Sequence, residues 1–259
     1  MIPKKLHYCW FGGGQKPELA EQCIASWKRF CPDYEIIEWN ETNLDLESFP
    51  AYVKEAYAAK KWGFVPDYIR IWIVYTYGGI YLDTDVEMIK PFDTLLLHPA
   101  FFGFESDKCV NLGHSFGAEA GNPLLLELMQ DYEKKHFLLP DGSLDLTPSP
   151  QINTEIFKRH GLLLGGKTYQ EIEKLAVVYP IEYFCPIDYY SGELKVTKNT
   201  YSIHHYMASW QSKKQKRIDR KKGKLWKEGD PKKDYLAVKE EKGTLYALLW
   251  SIKRSLTGK

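Results

Sequence analysis

The spacing of apolar residues over the first third of the chain alternates between the period of a strand and the period of a helix. Short apolar runs predict three strands, at residues 5–10, at residues 34–39 and in a run that ends at Asp83. Residues 17–30, 50–61 and 65–77 have helical spacing, and the last of these is apolar on most sides, which indicates a buried helix. This alternation of strands and helices is typical of an α/β fold with nucleotide-binding character.

The rest of the chain continues this mixture with shorter elements. Further strands are predicted at residues 100–105, 112–118, 177–179 and 202–205. Residues 123–136 and 152–160 have amphipathic helical spacing. The one clear shift in composition lies near Ser212, so we expect a main α/β domain at residues 1–211 and a basic, helical tail at residues 212–259.

The formal net charge of +1 conceals a strong asymmetry along the chain. Residues 212–259 hold 16 Lys and Arg against 6 Asp and Glu, a charge of +10, whereas residues 1–211 carry −9. Within the tail, residues 243–256 combine leucines, aromatic residues and two basic residues in a pattern that suits a helix on an anionic membrane surface. The alternative is a basic helix packed on the acidic domain. No recognised motif predicts binding to nucleic acid.

Composition indicates the cellular compartment of the protein more clearly than it indicates its chemistry. Aromatic residues make up 15% of the chain, which suits either an aromatic-rich core or a site for sugars and bases. The cysteines are odd in number and form no Cys-x-x-Cys, so neither a disulfide framework nor a thiolate zinc site is expected. No signal-like segment and no apolar run of bilayer length occurs in the sequence. We therefore expect a cytoplasmic protein, or one bound peripherally to the inner face of the cell membrane.

Two aspartates end the apolar run that predicts the third strand. Asp83 and Asp85 are one residue apart, and residues i and i+2 of a strand face the same side, so both carboxylates can point into one cleft. Carboxylates at the end of an apolar strand require a cation or water. One interpretation is a divalent metal such as Mn²⁺ or Mg²⁺, which would also hold a diphosphate. The other interpretation is a solvated pair of surface acids.

Other residues near these aspartates narrow the choice. Phosphatases of the haloacid dehalogenase type also carry Asp-x-Asp after a strand, followed by x-Thr or x-Val, but here Glu87 occupies the fifth position.

Asp67 and Arg70 are three residues apart on the predicted buried helix and share a face. They form either an intrahelical ion pair or a site in which Arg70 meets phosphate or sugar oxygens and Asp67 accepts from sugar hydroxyls.

Two more segments carry side chains that can complete a site. Trp10 closes the first predicted strand, where an indole can stack on a base or belong to the core. The glycines that follow it match neither common phosphate-loop pattern. His204 and His205 are neighbours on a predicted strand, so at most one of them faces a cleft, where a neutral imidazole can be a third metal ligand.

Together these motifs resemble those of the DXD-containing sugar transferases of glycosyltransferase family 32, which include bacterial capsular polysaccharide enzymes and yeast initiating mannosyltransferases. The motifs span residues 2–210 in this order: His7-Tyr8-Cys9-Trp10-Phe11-Gly12, Asp67-x-x-Arg70, Gly78-Gly79-Ile80-Tyr81-Leu82-Asp83-Thr84-Asp85 and His204-His205-x-x-x-Ser209-Trp210. The chain is also similar to the glucosyltransferase domains of large clostridial toxins, which share Asp-x-x-Arg and the DXD. Family members often have Thr-Gly-Pro where this chain has Thr-Pro-Ser-Pro at residues 147–150, so acceptor-side contacts near Gln151 and Asn153 are not carried over.

The resemblance implies a GT-A fold with a mixed central sheet and a helical C-terminal extension. Its catalytic residues would be Arg70, Asp83 and Asp85. The donor would be held by Trp10 on the base, by Asp67, Arg70, Tyr81 and Asp83 on the sugar, ribose and phosphate, and by Ser209 and Trp210 over the diphosphate. The metal, Mn²⁺ or Mg²⁺, would be bound by Asp85 and His205, with His204 as the alternative, and by Asp83 through a water molecule.

The function that the resemblance implies is a retaining transfer of a sugar from a nucleotide-sugar donor, with UDP preferred over GDP. The acceptor would be a glycan or a lipid-linked glycan in the synthesis of a surface or capsular polysaccharide, and the basic tail would meet an anionic membrane surface. The alternative is a non-catalytic glycan-binding or scaffold protein that keeps a degenerate transferase fold.

Overall fold

The computed structural model describes residues 1–188 and 192–207 of the 259-residue chain. Of these, residues 1–187 and 195–207 belong to one compact unit, and residues 188 and 192–194 belong to a second. The predicted tail at residues 212–259, and the predicted site residues Ser209 and Trp210, lie outside the described residues. Within the described ranges, no helix is both long enough and apolar enough to cross a membrane.

The described residues form five α-helices and nine strands, which confirms the predicted mixture of elements. The helices are α1 (Glu18–Phe30), α2 (Ala51–Ala58), α3 (Pro66–Tyr77), α4 (Pro123–Glu133) and α5 (Ser149–Arg159). The strands are β1 (Lys5–Cys9), β2 (Glu35–Trp39), β3 (Gly79–Tyr81), β4 (Val86–Met88), β5 (Ala100–Gly103), β6 (Phe116–Ala118), β7 (Gln170–Ile172), β8 (Ala176–Tyr179) and β9 (Ser202–His204).

Seven of the strands form one mixed sheet in the order β2-β1-β3-β6-β5-β8-β7. β1 is parallel to both β2 and β3, and β5 is parallel to β8, whereas β6 is antiparallel to its neighbours β3 and β5. The α/β class with a mixed central sheet is therefore confirmed. β4 and β9 pair antiparallel in a separate two-stranded sheet.

The sheet is buried on both faces because its strand residues alternate between two apolar clusters. Leu6 and Ile80 belong to one cluster, together with Trp27 of α1, whereas Cys9 and Tyr81 belong to the other, which contains α3 and α4. Helix α3 is buried on most of its sides, as its sequence predicts. Its position inside the molecule places any polar residue on its first turn in a low-dielectric environment.

The two aspartates do not lie on a strand, which corrects the geometric argument made from the sequence. β3 ends at Tyr81, and Asp83, Thr84 and Asp85 form the connection to β4. The amide of Val86 donates to the carbonyl of Asp83 at 3.1 Å, as in a tight turn. The two carboxylates are therefore brought together by a turn rather than by the pleat of one strand.

Helix α1 holds the strand that follows this turn. The indole Nε1 of Trp27 donates to the carbonyl of Val86 at 2.7 Å, and the amide of Met88 donates to the hydroxyl of Ser26 at 2.9 Å. The segment after the aspartate pair is thus fixed by two buried or half-buried hydrogen bonds from another element. All five cysteines lie within the described residues, and none of them forms a disulfide there.

Candidate active site

The site lies at the edge of the sheet where β1 and β3 end. These neighbouring strands are parallel, so their carboxyl ends meet at one edge. Trp10 directly follows β1, and its amide donates to the carbonyl of Trp39 at 2.9 Å; Leu82 directly follows β3, and its amide donates to the carbonyl of His7 at 3.0 Å. The segments that carry Trp10 and Asp83 therefore leave the sheet side by side.

Arg70 joins the helix to the aspartate turn. Arg70 is 4% exposed, and its guanidinium donates from Nη2 to Asp67 Oδ1 at 2.7 Å and from Nη1 to Asp83 Oδ2 at 3.4 Å. Its Nε donates to the carbonyl of Pro66 at 3.1 Å, which orients the guanidinium on the first turn of α3. The predicted residues Asp67, Arg70 and Asp83 are thus in contact, and Arg70 supplies the positive charge that lies between two carboxylates.

Asp67 is the most deeply placed carboxyl group of the site. Burial raises its pKa to about 6, although the ion pair with Arg70 and hydrogen bonds from Ser149 and Tyr52 act to lower the pKa. The Tyr52 hydroxyl donates to Asp67 Oδ2 at 3.3 Å. Residues of α2, α3 and α5 therefore contact the Asp67 carboxyl group. A carboxyl group held in this way is suited to fixing the position of Arg70.

Asp83 is the more accessible of the two aspartates in the turn. Its side chain is 31% exposed, so one part faces Arg70 and another part is open to a ligand. The Tyr81 hydroxyl donates to Asp83 Oδ1 at 3.1 Å, and the backbone amide of Asp83 donates to the carbonyl of Gly113 at 2.8 Å. Partial burial and the nearby charge of Asp85 raise the pKa of Asp83, while Arg70 acts in the opposite direction.

Asp85 is buried and held by the segment that contains β9. Its Oδ2 accepts from the backbone amide of Met207 at 2.7 Å, and its Oδ1 lies 3.5 Å from Nε2 of His204. Burial alone would raise its pKa, but the charge of His204 and these hydrogen bonds outweigh it and lower the pKa of Asp85. The same ion pair raises the pKa of His204 well above the usual value for histidine despite burial.

The two neighbouring histidines point in opposite directions, as the sequence predicts, although β9 ends at His204 and His205 follows it. The structure places His204 against Asp85, whereas Nε2 of His205 lies 2.9 Å from Glu87 Oε2, on the exposed side of β4. His205, the first choice for a metal ligand from sequence, therefore does not meet the Asp85 carboxylate with its side chain. Its backbone amide does contribute, because it donates to the carbonyl of Asp85 at 2.9 Å.

Trp10 lies beside the site and is only partly buried. Its indole Nε1 donates to the carbonyl of Gly14 at 2.6 Å, so the glycine-rich turn folds back onto the ring edge. The ammonium of Lys16 lies 5.6 Å from the ring centroid and forms an ion pair with Glu38 at 2.7 Å. One aromatic ring at this edge of the sheet is thus held by local contacts and keeps part of its surface exposed.

Sequence motifs gave no indication of a third carboxyl group near the aspartate pair. Glu105 follows β5, and its charge interacts with those of His204, Asp83 and Asp85. Its Oε1 accepts from the side-chain amide of Asn111 at 3.1 Å. No motif marks Glu105 or Asn111, because their relation to the site arises only when the loop between β5 and β6 packs on the aspartate turn.

The oxygen donors present fit a divalent metal that is shared with a substrate. Asp83 and Asp85 supply carboxylate oxygens, and Mg²⁺ is commonly bound by one or two carboxylates together with substrate phosphates. Among residues 1–188 and 192–207, no three His, Cys, Asp or Glu side chains are grouped so that they could hold a metal ion by themselves. Asp83 and Asp85 therefore offer carboxylate oxygens that suit a divalent metal, and the described residues form no closed protein cage around one.

Comparison with known proteins agrees with these motifs. Residues 17–102 match the family model described as a glycosyltransferase sugar-binding region containing a DXD motif. Inositol phosphoceramide mannosyltransferase 3 of Schizosaccharomyces pombe is 27% identical over 152 residues, which are 52% of this chain and 38% of that protein. Subversion of eukaryotic traffic protein A of Legionella pneumophila is 29% identical over 129 residues, 40% of this chain and 20% of that protein.

The matches thus span well under half the length of these two relatives. Among solved structures, a glycosyltransferase involved in the glycosylation of the major capsid of PBCV-1 aligns with a TM-score of 0.48 and 13% identity, over 85% of this chain and 100% of that chain. The residues that match the family model include α3, which carries Asp67 and Arg70, and the turn that carries Asp83 and Asp85. This part of the chain is similar to glycosyltransferase sugar-binding regions that contain a DXD motif, in agreement with the motifs found in the sequence.

Proposed function

We propose that this protein is a retaining, metal-dependent glycosyltransferase of the GT-A type that takes its sugar from a nucleotide-sugar donor. The observation that carries the proposal is the buried pair of Asp67 and Arg70, which contacts the partly exposed Asp83 beside Asp85. A buried cation between two carboxylates is costly to maintain for stability alone. At the carboxyl ends of parallel strands it lies where open α/β sheets bind nucleotides.

Each residue has a distinct role in the proposed site. Arg70 offsets the negative charge that develops on the departing diphosphate, and Asp67 holds the guanidinium in position. Asp83 accepts from hydroxyls of the ribose or the donor sugar, helped by Tyr81, and Trp10 stacks on the base. Asp85 and, through water, Asp83 would hold Mn²⁺ or Mg²⁺, which supplies charge stabilisation to the diphosphate.

His204 replaces His205 in this proposal as the histidine beside Asp85. Its imidazolium compensates the Asp85 carboxylate in the structure, and it can act as a ligand only after losing its proton. Ser209 and Trp210, which lie outside the described residues, keep the role that the resemblance implies, over the diphosphate. The His204 segment therefore connects the metal-binding aspartate to the residues that would cover the donor.

The reaction breaks the bond between the anomeric carbon and the diphosphate oxygen and forms a bond from that carbon to an acceptor oxygen. The acceptor hydroxyl attacks the anomeric carbon from the same face from which the leaving group departs, so the configuration at that carbon is retained. The proton of that hydroxyl passes to the leaving phosphate. The chain's own residues orient the donor and neutralise charge, which is the larger part of catalysis in many transferases.

We propose a glycan or lipid-linked glycan as the acceptor, in the synthesis of a surface or capsular polysaccharide. The names of the yeast relatives describe mannose transfer to inositol phosphoceramide, which favours an acceptor that carries a lipid. An acidic domain with a basic tail would meet such an acceptor at the inner face of a membrane. UDP remains the preferred nucleotide, with GDP as the alternative.

The direct test is a screen of UDP-sugars and GDP-sugars by thermal shift, with and without Mn²⁺, followed by assays of donor hydrolysis and transfer. Asp85→Asn should lower turnover by about 100-fold or more, since it removes a charged metal ligand. Asp33→Asn is the matched control, because Asp33 is an exposed aspartate paired with Lys4. Asp85→Asn loses its ion pair with His204, so the assay is run well below the melting temperature of the variant.

The outcomes separate the proposal from its alternative. Metal-dependent turnover that Asp85→Asn abolishes and Asp33→Asn keeps supports a transferase. Full activity of Asp85→Asn would refute the metal role of Asp85. Binding of glycans without turnover of any donor would favour the non-catalytic glycan-binding or scaffold protein.

A further inference from the structure

The loop between β5 and β6 holds Asp83 through a short series of hydrogen bonds. The backbone amide of Asp83 donates to the carbonyl of Gly113 at 2.8 Å, and the amide of Gly113 donates to Asn111 Oδ1 at 2.6 Å. Asn111 Nδ2 in turn donates to Glu105 Oε1 at 3.1 Å. Both polar atoms of the Asn111 side chain are therefore used, one toward the aspartate turn and one toward a carboxylate.

Asn111 is buried, so these hydrogen bonds are costly to lose. Asn111 is 6% exposed, so water cannot readily replace a missing hydrogen-bond partner of its side chain. The backbone amide of Asn111 also donates to the carbonyl of Gly103 at 3.2 Å, which ties the residue to the end of β5. The position of Asn111 is thus fixed by the central sheet, and its side chain transmits that position to the aspartate turn.

Gly113 brings the loop close enough to touch the site. A Cβ atom built at Gly113 would overlap Asp83 Oδ2 and lie 2.6 Å from Nη1 of Arg70. The backbone of Gly113 is not in the left-handed region, so the need for glycine is one of space and not of conformation. The loop backbone therefore packs directly against the ion pair between Arg70 and Asp83.

Glu105 completes the series at its other end. It follows β5, and the antiparallel bridge between Phe104 and Val110 closes the loop that brings Glu105 near Asn111. Because a carboxylate only accepts hydrogen bonds, Glu105 selects the orientation of the Asn111 amide in which nitrogen faces Glu105 and oxygen faces Gly113. Without Glu105, the amide could turn over and present a donor to another donor.

We propose that Glu105 and Asn111 are positioning residues of the proposed transferase: Glu105 orients Asn111, Asn111 holds Gly113, and the Gly113 carbonyl holds Asp83 where Arg70 and the donor meet. This proposal rests on the transferase function proposed above. All three residues lie outside the residues 17–102 that match the family model. Outer contacts of this kind fix the geometry of a functional carboxylate without touching the substrate.

The test is an exchange of the two partners in the full-length chain. Asn111→Asp keeps the acceptor for the Gly113 amide but sets two carboxylates against each other, so we expect kcat to fall by about 10- to 100-fold and the melting temperature to fall. The double variant Asn111→Asp with Glu105→Gln restores one donor and one acceptor with their places reversed. It should recover most of the lost kcat and most of the lost melting temperature.

Asn122→Ala is the matched control for loss of a buried asparagine. Asn122 is 5% exposed and also uses both side-chain atoms, accepting from Leu124 and donating to Leu175, at the start of α4. Its replacement should lower the melting temperature while kcat, measured well below that temperature, stays within about twofold of wild type. A fall in kcat that is specific to Asn111→Asp therefore reports position and not stability.

Gly113→Ala gives an independent check, because the added methyl group should displace Asp83 or Arg70 and lower kcat by about tenfold or more. The proposal is overturned if Asn111→Asp turns over like Asn122→Ala, or if the double variant is no better than Asn111→Asp in both kcat and melting temperature. A wild-type protein that turns over no nucleotide sugar would overturn the transferase function itself, which is a different result from either of these.

Discussion

At the scale of single residues, the guanidinium of Arg70 is the group on which the site depends most. It donates to Asp67, to Asp83 and to the carbonyl of Pro66, in a residue that is 4% exposed. An ammonium group has a compact charge and no planar fork, so it can reach one or two of these partners but not all three. A substitution that keeps the charge therefore separates the role of geometry from the role of charge.

We expect Arg70→Lys to lower the free energy of unfolding by about 1–3 kcal/mol, because at least one buried acceptor loses its donor. We also expect turnover to fall by at least about tenfold, because Asp83 loses its contact with α3. Denaturant unfolding and initial rates measure the two effects separately.

Arg159→Lys serves as the control for this exchange. The side chain of Arg159 is 58% exposed and pairs with Glu127 at 3.4 Å, so the change should alter stability by less than about 0.5 kcal/mol. Equal effects of the two substitutions would contradict a geometric role for Arg70.

The residues of the site differ in how far the sequence could predict them. Asp67 and Arg70 share one helical turn, so their spacing alone predicts that they meet, and the structure adds the contact of Arg70 with Asp83. The opposite directions of His204 and His205 followed from strand alternation, but which of them faces Asp85 depends on how β9 pairs with β4. Asn111 carried no local signal, because its importance comes from a tertiary contact with the aspartate turn.

At the scale of elements, contacts of His160 with two carboxylates connect the end of helix α5 to neighbouring elements. His160 follows the last residue of α5; its Nε2 lies 2.7 Å from Glu127 of α4, and its Nδ1 lies 2.9 Å from Glu173, between β7 and β8. Since both ring nitrogens face carboxylates, the doubly protonated imidazolium satisfies both contacts. Hydrogen bonds to Glu127 and Glu173 raise the pKa of His160.

Because the pKa of His160 is raised in the folded state, the stabilisation from its two carboxylate contacts depends on pH in a defined direction. This stabilisation is fully present below the unfolded pKa of about 6.5 and is lost as the pH rises through the higher folded pKa. We therefore expect His160→Gln to lower stability by about 0.5–1 kcal/mol at about pH 6 and by less at about pH 9. Thermal unfolding of both proteins at the two pH values measures the difference.

The variant Glu173→Gln checks the cause of this effect. It removes one of the two carboxylates that face His160. In a protein that carries Glu173→Gln, the stability lost on His160→Gln should therefore differ less between about pH 6 and about pH 9. A stability difference between wild type and His160→Gln that grows as the pH rises would contradict the assignment.

Helices long enough to show a period were predicted from the sequence, whereas two of the three-residue strands, β4 and β7, were not. α1, α3 and α4 begin and end within a few residues of the predicted ranges, because each repeats its apolar positions over several turns. β4 and β7 have three residues each, which is too few to display alternation. The strand predicted at residues 112–118 is shorter, Phe116–Ala118, because residues 112–115 form the loop that packs on the site.

At the scale of the whole molecule, the α/β class could be predicted but the strand order could not. Alternating strands and helices are typical of parallel pairing, which β2, β1 and β3 show. The antiparallel β6 enters between β3 and β5, and this choice depends on long-range pairing that leaves no pattern in the local sequence. That insertion matters for function, because the loop between β5 and β6 carries Glu105 and Asn111 to the aspartate turn.

The charge asymmetry of the chain leads to the last prediction, which concerns residues 212–259. Their charge of +10 and the apolar pattern of residues 243–256 predict binding to an anionic membrane, where the acceptor of the proposed reaction would lie. We expect the full-length chain to sediment with vesicles that contain phosphatidylserine and to remain in solution with neutral vesicles. Because each basic residue near the surface contributes about 1 kcal/mol, replacing Lys221, Lys222 and Lys224 by Gln should weaken binding by roughly 100-fold at low salt.

The matched control replaces three lysines of the acidic domain, Lys108, Lys167 and Lys198, which are exposed in the structure. Both triple variants lose the same charge, so a general effect of net charge would weaken both equally. A loss of binding confined to the tail variant supports membrane contact by residues 212–259. Equal sedimentation of wild type and the tail variant would instead favour a basic helix packed on the acidic domain, since its lysines would then be used within the molecule.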